Sequence, residues 1–402
     1  MKLLFVVPNY EPAWSFGGVM RCMSTLCRGL QHEGVDVTVY TTNLDGKGGT
    51  LAVEPGEYTS VGGVSVYYFP STFGSNSDFD SRALARKMEA SVSQFDLVYI
   101  AAMWQWIGVS ASKICSKHSV PYVHGSHGSF GAYSLAKGKA KKSIFLNLFM
   151  KKHLIHADAI HVTTEYERAS LKVLGDRIQS FIVPNSIPDY AFTVDETSVT
   201  EIRQELKISA SSRVIIFAGR PDPVKRLDIV IKALPEILTQ VPDAHLLIVG
   251  SDDNEYSANM KKLVSQLELE SQVTWAGFIA GEKMPNYYAA ADLFALPSMG
   301  ENFGMVVAEA MATGTPVVIS DCVGVSDDVE HYGAGIVTSI DPKQVSNACV
   351  ELLQNRKGLK DMGSKAKEMA QSLYGSGKVA GLALTAFRDV LNHTKSKICQ
   401  WN

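Results

Sequence analysis

Two glutamates, Glu301 and Glu309, have the residue type and spacing that most clearly suggest chemistry in this sequence. The apolar run at 293–296, ended by a proline, predicts a buried strand. A short polar loop follows, and apolar spacing predicts a helix from about 302 to 313, stopped by a glycine and a proline. One glutamate therefore lies at the start of this helix and the other lies along it.

The start of a helix after a buried strand is a candidate anion site. Backbone N–H groups of Asn302, Phe303, Gly304 and Met305 lack intrahelical partners in the predicted helix and can bind phosphate oxygens. Carboxylates beside them can accept hydrogen bonds from sugar and ribose hydroxyls. Two glutamates at this spacing are also compatible with solvated charges on a helix, and the segment alone does not separate the two interpretations.

A second strand–loop–helix segment carries positive charge. The apolar strand at 214–220 ends in Gly219 and Arg220, and Lys225 follows at the start of the next predicted helix. Open α/β sheets bind ligands at the carboxyl ends of their strands. Two cations at such a loop suit a diphosphate bound without a metal. The alternative is a pair of solvated loop charges.

Several segments together carry a family resemblance. They are GRPDPVKRLD at 219–228, HLLIVGS at 245–251, WAGF at 275–278, ADLFALPS at 291–298 and GENFGMVVAEAMATGTPVV at 300–318. PNYEPAWSFGG at 8–18 and PYVHGSHG at 121–128 fit more loosely. Through them the chain resembles the retaining, nucleotide-sugar-dependent glycosyltransferases of family 4, and the resemblance extends over nearly the whole chain.

The resemblance implies an α/β chain with the GT-B fold, in which two Rossmann-like domains face a central cleft. Residues 1–188 would bind the acceptor, and residues 189–375 would bind the nucleotide-sugar donor. In residues 376–402, apolar residues recur at the spacing expected for one face of a helix. By resemblance, this last helix would cross back and pack on the N-terminal domain.

The resemblance also implies roles in the donor site. Arg220, Lys225 and the amides of 302–305 would stabilise the departing diphosphate without a metal ion. Glu309 would bind the ribose hydroxyls, and Glu301 would bind the sugar hydroxyls and act in catalysis. The donor would be a UDP-, GDP- or ADP-sugar, transferred by a front-face displacement that retains the anomeric configuration, with no cofactor.

Four further positions receive roles in the same way. Phe278 would contact the base of the nucleotide. Gly17 and Gly18 would let the backbone approach a phosphate or an acceptor, although the same pair is compatible with a simple turn. His127 fits the position of a catalytic histidine that binds a donor-sugar hydroxyl better than His124 does, since Gly128 follows it. The subgroup often has arginine at this position, and a structural role for either histidine stays open.

Composition narrows the class of protein. The 402 residues suit two or three domains, and a net charge of −3 gives no signature of nucleic-acid binding. Six cysteines without a ligand-like spacing suggest reduced thiols. The start is too short for a signal peptide, and no apolar stretch approaches about 20 residues. These features predict a cytoplasmic protein.

The triplet Asp78-Phe79-Asp80 spells the D-x-D pattern of metal-dependent sugar transferases. It lies in a polar loop with no strand before it. An acidic cluster ahead of a helix at 81–92 is the favoured interpretation, and no metal site is predicted.

A basic stretch of the first half is not explained by the family motifs. No acidic residue occurs between Asp96 and Asp158, and IFLNLFM at 144–150 is almost wholly apolar. The lysines on either side of it are Lys137, Lys139, Lys141, Lys142, Lys151 and Lys152. This pattern is typical of a peripheral anchor on an anionic membrane. A buried helix with solvated lysines at its ends is the alternative.

Three other functions remain as alternatives. A sugar-nucleotide epimerase or hydrolase shares the GT-B architecture. A nicotinamide enzyme is disfavoured because no G-x-G-x-x-G motif follows the first strand. A non-catalytic sugar-nucleotide-binding protein is weaker, because both cations and both glutamates are present. We expect the acceptor to be a saccharide or a lipid-linked molecule in surface polysaccharide assembly.

Overall fold

The computed structural model describes residues 1–46, 48–72, 80–136, 138–175 and 178–399, apart from the side chains of Ser15 and of residues 395–399. Its contacts divide the chain into two units. The first unit consists of Met1–Ser186 with Ser376–Asn402, and the second consists of Ile187–Gly375.

The first unit contains an eight-stranded sheet. Its strands are β1 (Lys2–Val6), β2 (Asp36–Thr42), β3 (Tyr58–Val61), β4 (Val64–Phe69), β5 (Leu97–Ile100), β6 (Tyr122–Gly125), β7 (Ala159–Val162) and β8 (Ser180–Ile182). The order across the sheet is β3-β4-β2-β1-β5-β6-β7-β8, and only the β3–β4 pair is antiparallel. The central strands are apolar and buried on both faces, as is typical of a parallel sheet covered by helices.

In the described part of this unit, α-helices lie between the strands and around the sheet. They are α1 (Gly18–His32), α2 (Arg82–Ser91), α3 (Trp106–Lys117), α4 (Ala132–Ala136), α5 (Lys139–Phe145), α6 (Lys151–His156) and α7 (Glu165–Ser170). A single π-helical turn, Leu146–Met150, joins α5 to α6.

The C-terminal helix, Ser376–Cys399, belongs to the first unit and packs on α1. A Cβ on Gly29 of α1 would lie 2.9 Å from the Cβ of Ala380, so the two helices approach closely where the glycine has no side chain. Phe387 of the same helix packs on the rings of Tyr99 and Phe181. The return of this helix to the N-terminal unit confirms the fold expected from the sequence.

The second unit contains a six-stranded, all-parallel sheet. Its strands are β9 (Arg213–Ala218), β10 (Ala244–Val249), β11 (Val273–Gly277), β12 (Leu293–Leu296), β13 (Val317–Ser320) and β14 (Gly335–Thr338). The order is β11-β10-β9-β12-β13-β14. The helices are α8 (Glu196–Glu205), α9 (Leu227–Gln240), α10 (Glu255–Gln266), α11 (Met284–Ala289), α12 (Met305–Ala312), α13 (Ser326–Tyr332), α14 (Pro342–Gln354) and α15 (Arg356–Tyr374).

Both sheets have a topological switch point. In the first sheet the chain runs outward from β1 to β2 and resumes on the other side at β5. In the second sheet it runs outward from β9 to β10 and β11 and resumes at β12. The loops that leave two neighbouring strands in opposite directions open a crevice at their carboxyl ends, and open α/β sheets bind ligands there. The residues predicted to bind the diphosphate follow β9 and β12.

Helix α12 begins at Met305, three residues later than the sequence predicted. The cause is Gly304, whose φ of +97° lies in the left-handed region and cannot continue a right-handed helix. Asn302, Phe303 and Gly304 therefore belong to the loop before the helix. Of the four amides expected in the first helical turn, only that of Met305 belongs to α12.

No helix in the described part of the chain has the length and apolar character needed to cross a bilayer.

Candidate active site

Two loops of the second unit are joined by hydrogen bonds at the switch point. After β9, the short 3₁₀ turn Pro223–Lys225 is capped by Asp222, whose carboxylate accepts from the amide of Val224 at 3.0 Å. After β12, the hydroxyl of Ser298 and the amide of Met299 both donate to the carbonyl of Val224, at 3.0 and 2.7 Å. These bonds fix the position of Lys225 relative to the loop that carries Glu301.

Lys225 and Glu301 form an ion pair. The Nζ atom of Lys225 donates to Oε1 of Glu301 at 2.5 Å, and about a fifth of each side chain is exposed. The two residues are 76 positions apart in the sequence. The structure thus brings together one predicted cation and one predicted carboxylate, each within reach of solvent and of a ligand.

The loop that carries Glu301 is held from its other side by the loop after β13. The amide of Glu301 donates to the carbonyl of Cys322 at 3.1 Å, and the amide of Gly324 donates to the carbonyl of Glu301 at 2.8 Å. A Cβ on Gly324 would lie 1.9 Å from the carbonyl oxygen of Asn302, so only glycine fits this contact. Gly324 was not predicted from the sequence, because the signal for it is a close approach between distant segments.

Arg220 and Arg226 differ in their environment although both follow β9. Arg226 is bound to Asp228 by two hydrogen bonds of 2.8 and 3.0 Å. Arg220 is exposed and has no ion-pair partner among the residues that the structure describes. Arg220 is therefore available to a ligand anion. Gly250 lets the loop after β10 pack closely on the loop after β9, since a Cβ on Gly250 would lie 2.1 Å from the carbonyl oxygen of Gly219.

The other predicted donor-site residues lie along the carboxyl-end edge of the same parallel sheet. Phe278 directly follows β11 and is 71% exposed, so one aromatic face is open to a planar partner. Glu309, in the second turn of α12, accepts from the hydroxyl of Tyr288 at 3.2 Å. Phe303 is buried against the ring of Tyr374, so its side chain belongs to the core.

A cavity of about 260 Å³ lies at the switch point of the first unit. Its walls come from the loops after β1, β5 and β6 and from the start of α1. The residues that line it are Val7, Pro8, Asn9, Phe16, Val19, Met20, Met23, Ala101, Met103, Trp104, Gln105, Gly125, Ser126, His127 and Ser129. Most of the lining is apolar, with amide, hydroxyl and imidazole groups among it.

Gly17 and Gly18 lie at the start of α1 beside this cavity. Gly17 is the N-cap, with a φ of +80° that favours glycine, and Gly18 is the first helical residue. A Cβ on either residue would meet no other atom within 4 Å. The space next to both glycines is therefore open, and Gly17 is also required by its backbone conformation.

The two histidines of the segment 121–128 have different environments. His124 is fully buried in β6, and its Nε2 is bonded to the hydroxyl of Ser112 on α3 at 2.9 Å. His127 follows the strand in the left-handed conformation, with a φ of +43°, and lines the cavity. Of the two, His127 is the one that a ligand in the cavity can contact.

A buried carboxylate, Glu167 at the start of α7, holds the loop that carries His127. Its Oε1 accepts from the hydroxyl of Ser126 at 2.8 Å and from the amide of Gly128. Its Oε2 accepts from the amide and the hydroxyl of Thr163, at 2.7 and 2.9 Å. Both neighbours of His127 are thereby tethered, which offsets the cost of its left-handed backbone.

The hydroxyl of Tyr99 on β5 bonds both to the ring of His127 and to the ring of His161 on β7, and the two histidine rings pack edge to face. The hydroxyl of Tyr99 lies 3.0 Å from Nε2 of His127 and 2.6 Å from Nδ1 of His161. Burial, and then the neighbouring His161, lowers the pKa of His127 to about 4, so its imidazole is neutral at pH 7. Tyr99, His161 and Glu167 were not predicted from the sequence, because their local signal is no more than a polar group in a buried segment.

The D-x-D triplet and the lysine-rich stretch of the sequence each include residues that the structure does not describe. Asp78 and Phe79 are not described, and Asp80 precedes Ser81, whose hydroxyl caps α2 by accepting from the amide of Leu84 at 3.2 Å. Lys137 is also outside the described residues. Within the described ranges, no three His, Cys, Asp or Glu side chains group as metal ligands.

Comparison with known proteins places the chain in a family. A model described as Glycosyltransferase Family 4 matches residues 16–189, and one described as Glycosyl transferases group 1 matches residues 198–369. The chain belongs to glycosyltransferase family 4. The enzyme is thus a glycosyltransferase of the hexosyl or a related class, as expected from the sequence.

Relatives of this glycosyltransferase match it over most of their length. An uncharacterized glycosyltransferase of Methanocaldococcus jannaschii is 27% identical over 351 residues, which are 84% of each chain. The D-inositol 3-phosphate glycosyltransferase of Kineococcus radiotolerans is 26% identical over 403 residues, covering 92% of this chain and 90% of the relative.

A solved structure confirms the fold. Anabaena HepE in complex with UDP and glucose superimposes with a TM-score of 0.74 and 19% identity, covering 97% of this chain and 100% of HepE. The two α/β units with parallel-dominated sheets are those of the GT-B glycosyltransferases, as expected from the sequence.

Proposed function

We propose that this glycosyltransferase moves a hexose from a nucleoside-diphosphate sugar, bound by the second unit, to a hydroxyl of a saccharide or lipid-linked acceptor, bound by the first. The transfer retains the anomeric configuration and needs no metal ion. The Lys225–Glu301 pair at the switch point of the second sheet carries this proposal. In this pair, a cation suited to a diphosphate lies beside a carboxylate suited to sugar hydroxyls.

The charges around this pair suit a departing diphosphate. Breaking the bond between the sugar and the β-phosphate leaves negative charge on the phosphate oxygens. Lys225 and the N-terminus of α12 at Met305 supply positive charge without a metal, together with Arg220, which forms no ion pair with a described residue. HepE was solved with UDP, and an Arabidopsis starch synthase IV was solved with ADP, which supports a nucleotide donor of this class.

The carboxylates and the exposed aromatic ring bind the rest of the donor. Glu301 accepts hydrogen bonds from sugar hydroxyls, Glu309 binds the ribose hydroxyls and Phe278 stacks on the base. Glu301 is paired with Lys225, which suits a hydroxyl-binding role better than that of a nucleophile. The acceptor oxygen attacks the face from which the phosphate departs, and its proton passes to the departing phosphate oxygen.

Product analysis tests the reaction type. The enzyme is incubated with UDP-, GDP- and ADP-glucose, methyl hexoside acceptors and EDTA, and the new glycosidic bond is identified by NMR. We expect one donor to give a product with the anomeric configuration of the donor. An inverted product, or transfer that stops in EDTA, contradicts the proposal. Epimerised sugar nucleotide without an acceptor supports the epimerase alternative instead.

We also propose that the first unit docks on an anionic membrane through residues 138–156, here called the lysine-rich surface. Its helices expose large apolar side chains: Ile144 (58%), Leu148 (66%), Phe149 (38%) and Ile155 (48%). Lys139, Lys141 and Lys152 are exposed around them. Apolar side chains for the acyl boundary, ringed by cations for anionic headgroups, are typical of a peripheral anchor.

Other residues of this surface anchor it to the unit. Leu146 and Met150 are buried, so the apolar segment has one face in the core and one in solvent. Lys142 donates to the carbonyl of Ser134 and lies 5.2 Å from the ring centre of Trp104, so it supports the local structure. Variants that test membrane binding should therefore leave Lys142 unchanged.

Flotation with liposomes tests the lysine-rich surface. Changing Lys139, Lys141 and Lys152 to Glu should weaken binding to phosphatidylglycerol liposomes by at least about 100-fold, since each lysine contributes about 1 kcal/mol. The matched control changes Lys262, Lys343 and Lys360, three exposed lysines of the second unit, and should float like the native protein. Equal flotation of the two triple variants, or no flotation of the native protein at low salt, contradicts the proposal.

A further inference from the structure

We infer that Tyr99 and His161 are positioning residues that hold His127 in a single tautomer, so that its Nδ1 accepts a hydrogen bond from a hydroxyl of a sugar in the first unit's cavity. The inference rests on the proposed function only for the identity of that sugar, because the tautomer follows from the hydrogen bonds of the native chain.

The assignment starts at a backbone carbonyl, which can only accept. Nε2 of His161 lies 2.7 Å from the carbonyl oxygen of Val183, so this nitrogen carries the proton. Burial lowers the pKa of His161, so its ring is neutral at pH 7 and its Nδ1 has a lone pair. The hydroxyl of Tyr99, 2.6 Å away, must therefore donate to Nδ1 of His161.

The same reasoning shows which ring nitrogen of His127 carries the proton. Tyr99 has one hydroxyl proton, and this proton is already donated to His161. Its oxygen can therefore only accept from Nε2–H of His127, at 3.0 Å. A neutral His127 with its proton on Nε2 has a bare lone pair on Nδ1.

Nδ1 of His127 is buried and has no hydrogen-bond partner within the described residues. The ionisable groups packed near it are Tyr99, His161 and Glu167. Glu167 holds Ser126, Gly128 and Thr163 and itself carries no proton donor when ionised. A buried acceptor without a donor is costly, and the cavity that His127 lines is where a donor can enter.

The chemistry of Nδ1 limits the group that it binds. A lone pair attracts an O–H or N–H group and repels the oxygens of a phosphate or a carboxylate. The ligand group is therefore an O–H or N–H donor. In the proposed reaction it is a hydroxyl, which either the acceptor or the transferred sugar of the donor can supply.

Nitrogen NMR of the native enzyme tests the tautomer directly. The protein is labelled with ¹⁵N-histidine, and His127 is assigned through the signals lost in His127→Gln. We expect protonated Nε2 and unprotonated Nδ1 at pH 7. In Tyr99→Phe, the acceptor for Nε2–H is gone, and we expect a mixture of both tautomers. A protonated Nδ1 in the native enzyme, or a Tyr99→Phe spectrum that matches the native one, overturns the inference. If Tyr99→Phe does not fold, the native spectrum decides alone.

Kinetics separates positioning from general support of the fold. Tyr99→Phe should lower kcat by about 10-fold, which corresponds to one misplaced hydrogen bond, with little change in the donor KM. Tyr122→Phe is the matched control, because its buried hydroxyl on the neighbouring strand donates to the carbonyl of His153 at 2.8 Å, away from His127. Equal losses of kcat in the two variants contradict a positioning role.

Ligand titrations identify the hydroxyl. Methyl hexosides at about 10 mM fill even a millimolar site, and a shift of Nδ1 with them assigns the hydroxyl to the acceptor. A shift with a sugar nucleotide, absent with the matching nucleotide alone, assigns it to the transferred sugar. No shift with any of these ligands overturns the ligand class. Nucleotide affinity, measured separately by calorimetry, tests the proposed function, so failures of the two proposals are distinguishable.

Discussion

A Glu301→Gln variant is expected to lose about 100-fold to 1000-fold in kcat while it binds nucleoside diphosphate at least as tightly as the native enzyme. In the proposed mechanism, glutamine removes the charge that sugar hydroxyls contact as the bond to phosphate breaks. It also removes the partner of Lys225, whose Nζ then has the diphosphate as its counter-charge. Initial rates with saturating donor, combined with calorimetric titration of the nucleotide, measure both effects.

Glu309→Gln is the matched comparison, because it changes the same residue type within the same motif. We expect it to weaken nucleotide binding by about 10-fold to 100-fold through a lost charged hydrogen bond to the ribose. The exposed Glu282 serves as the neutral control. A native kcat for Glu301→Gln would exclude Glu301 from the mechanism. If the two variants lose kcat and nucleotide affinity to the same extent, Glu301 and Glu309 do not have separate roles.

A Glu167→Ala variant is expected to lower the free energy of unfolding of the first unit by about 3–5 kcal/mol. The substitution leaves the amides of Thr163 and Gly128 and the hydroxyl of Ser126 without the carboxylate that accepts from them. Urea unfolding followed by tryptophan fluorescence measures the loss, since Trp104 and Trp106 belong to the first unit.

Glu165→Ala controls for loss of a carboxylate from the same helix. Glu165 is exposed and forms a surface pair with Arg168 at 3.0 Å, so its removal should change the unfolding free energy by less than about 1 kcal/mol. Equal stability of the two variants would show that Glu167 does not hold the His127 loop.

The sequence could indicate where the loops of the second unit's candidate site lie, because the signals for them are local. Arg220, Lys225 and Glu301 each follow an apolar strand, and parallel strands bring their following loops to one edge. The direct contact between Lys225 and Glu301 was not predictable, because it depends on β9 and β12 being neighbours and on Val224 binding the second loop. The start of α12 was wrong because Gly304 takes a left-handed conformation.

In the first unit, the sequence indicated one residue of the candidate site and none of its buried neighbours. His127 was identified from its position after a strand, but the groups that orient it were not. Tyr99 and His161 come from strands 62 positions apart, and Glu167 comes from the following helix. Buried polar contacts between separate elements leave no periodicity in the sequence, so only the folded chain shows them.

The measurement that most directly tests the central claim is calorimetric titration of the enzyme with UDP, GDP and ADP, each with EDTA, for the native protein and for Lys225→Ala. One nucleotide should bind in EDTA, and Lys225→Ala should weaken it by about 10-fold to 100-fold through the loss of a charged hydrogen bond. Lys232 is a nearby lysine paired with Asp228, so the Lys232→Ala variant should bind the nucleotide as tightly as the native enzyme does. Binding of none of the three, or binding only with a divalent metal, would contradict a metal-free diphosphate site at Lys225.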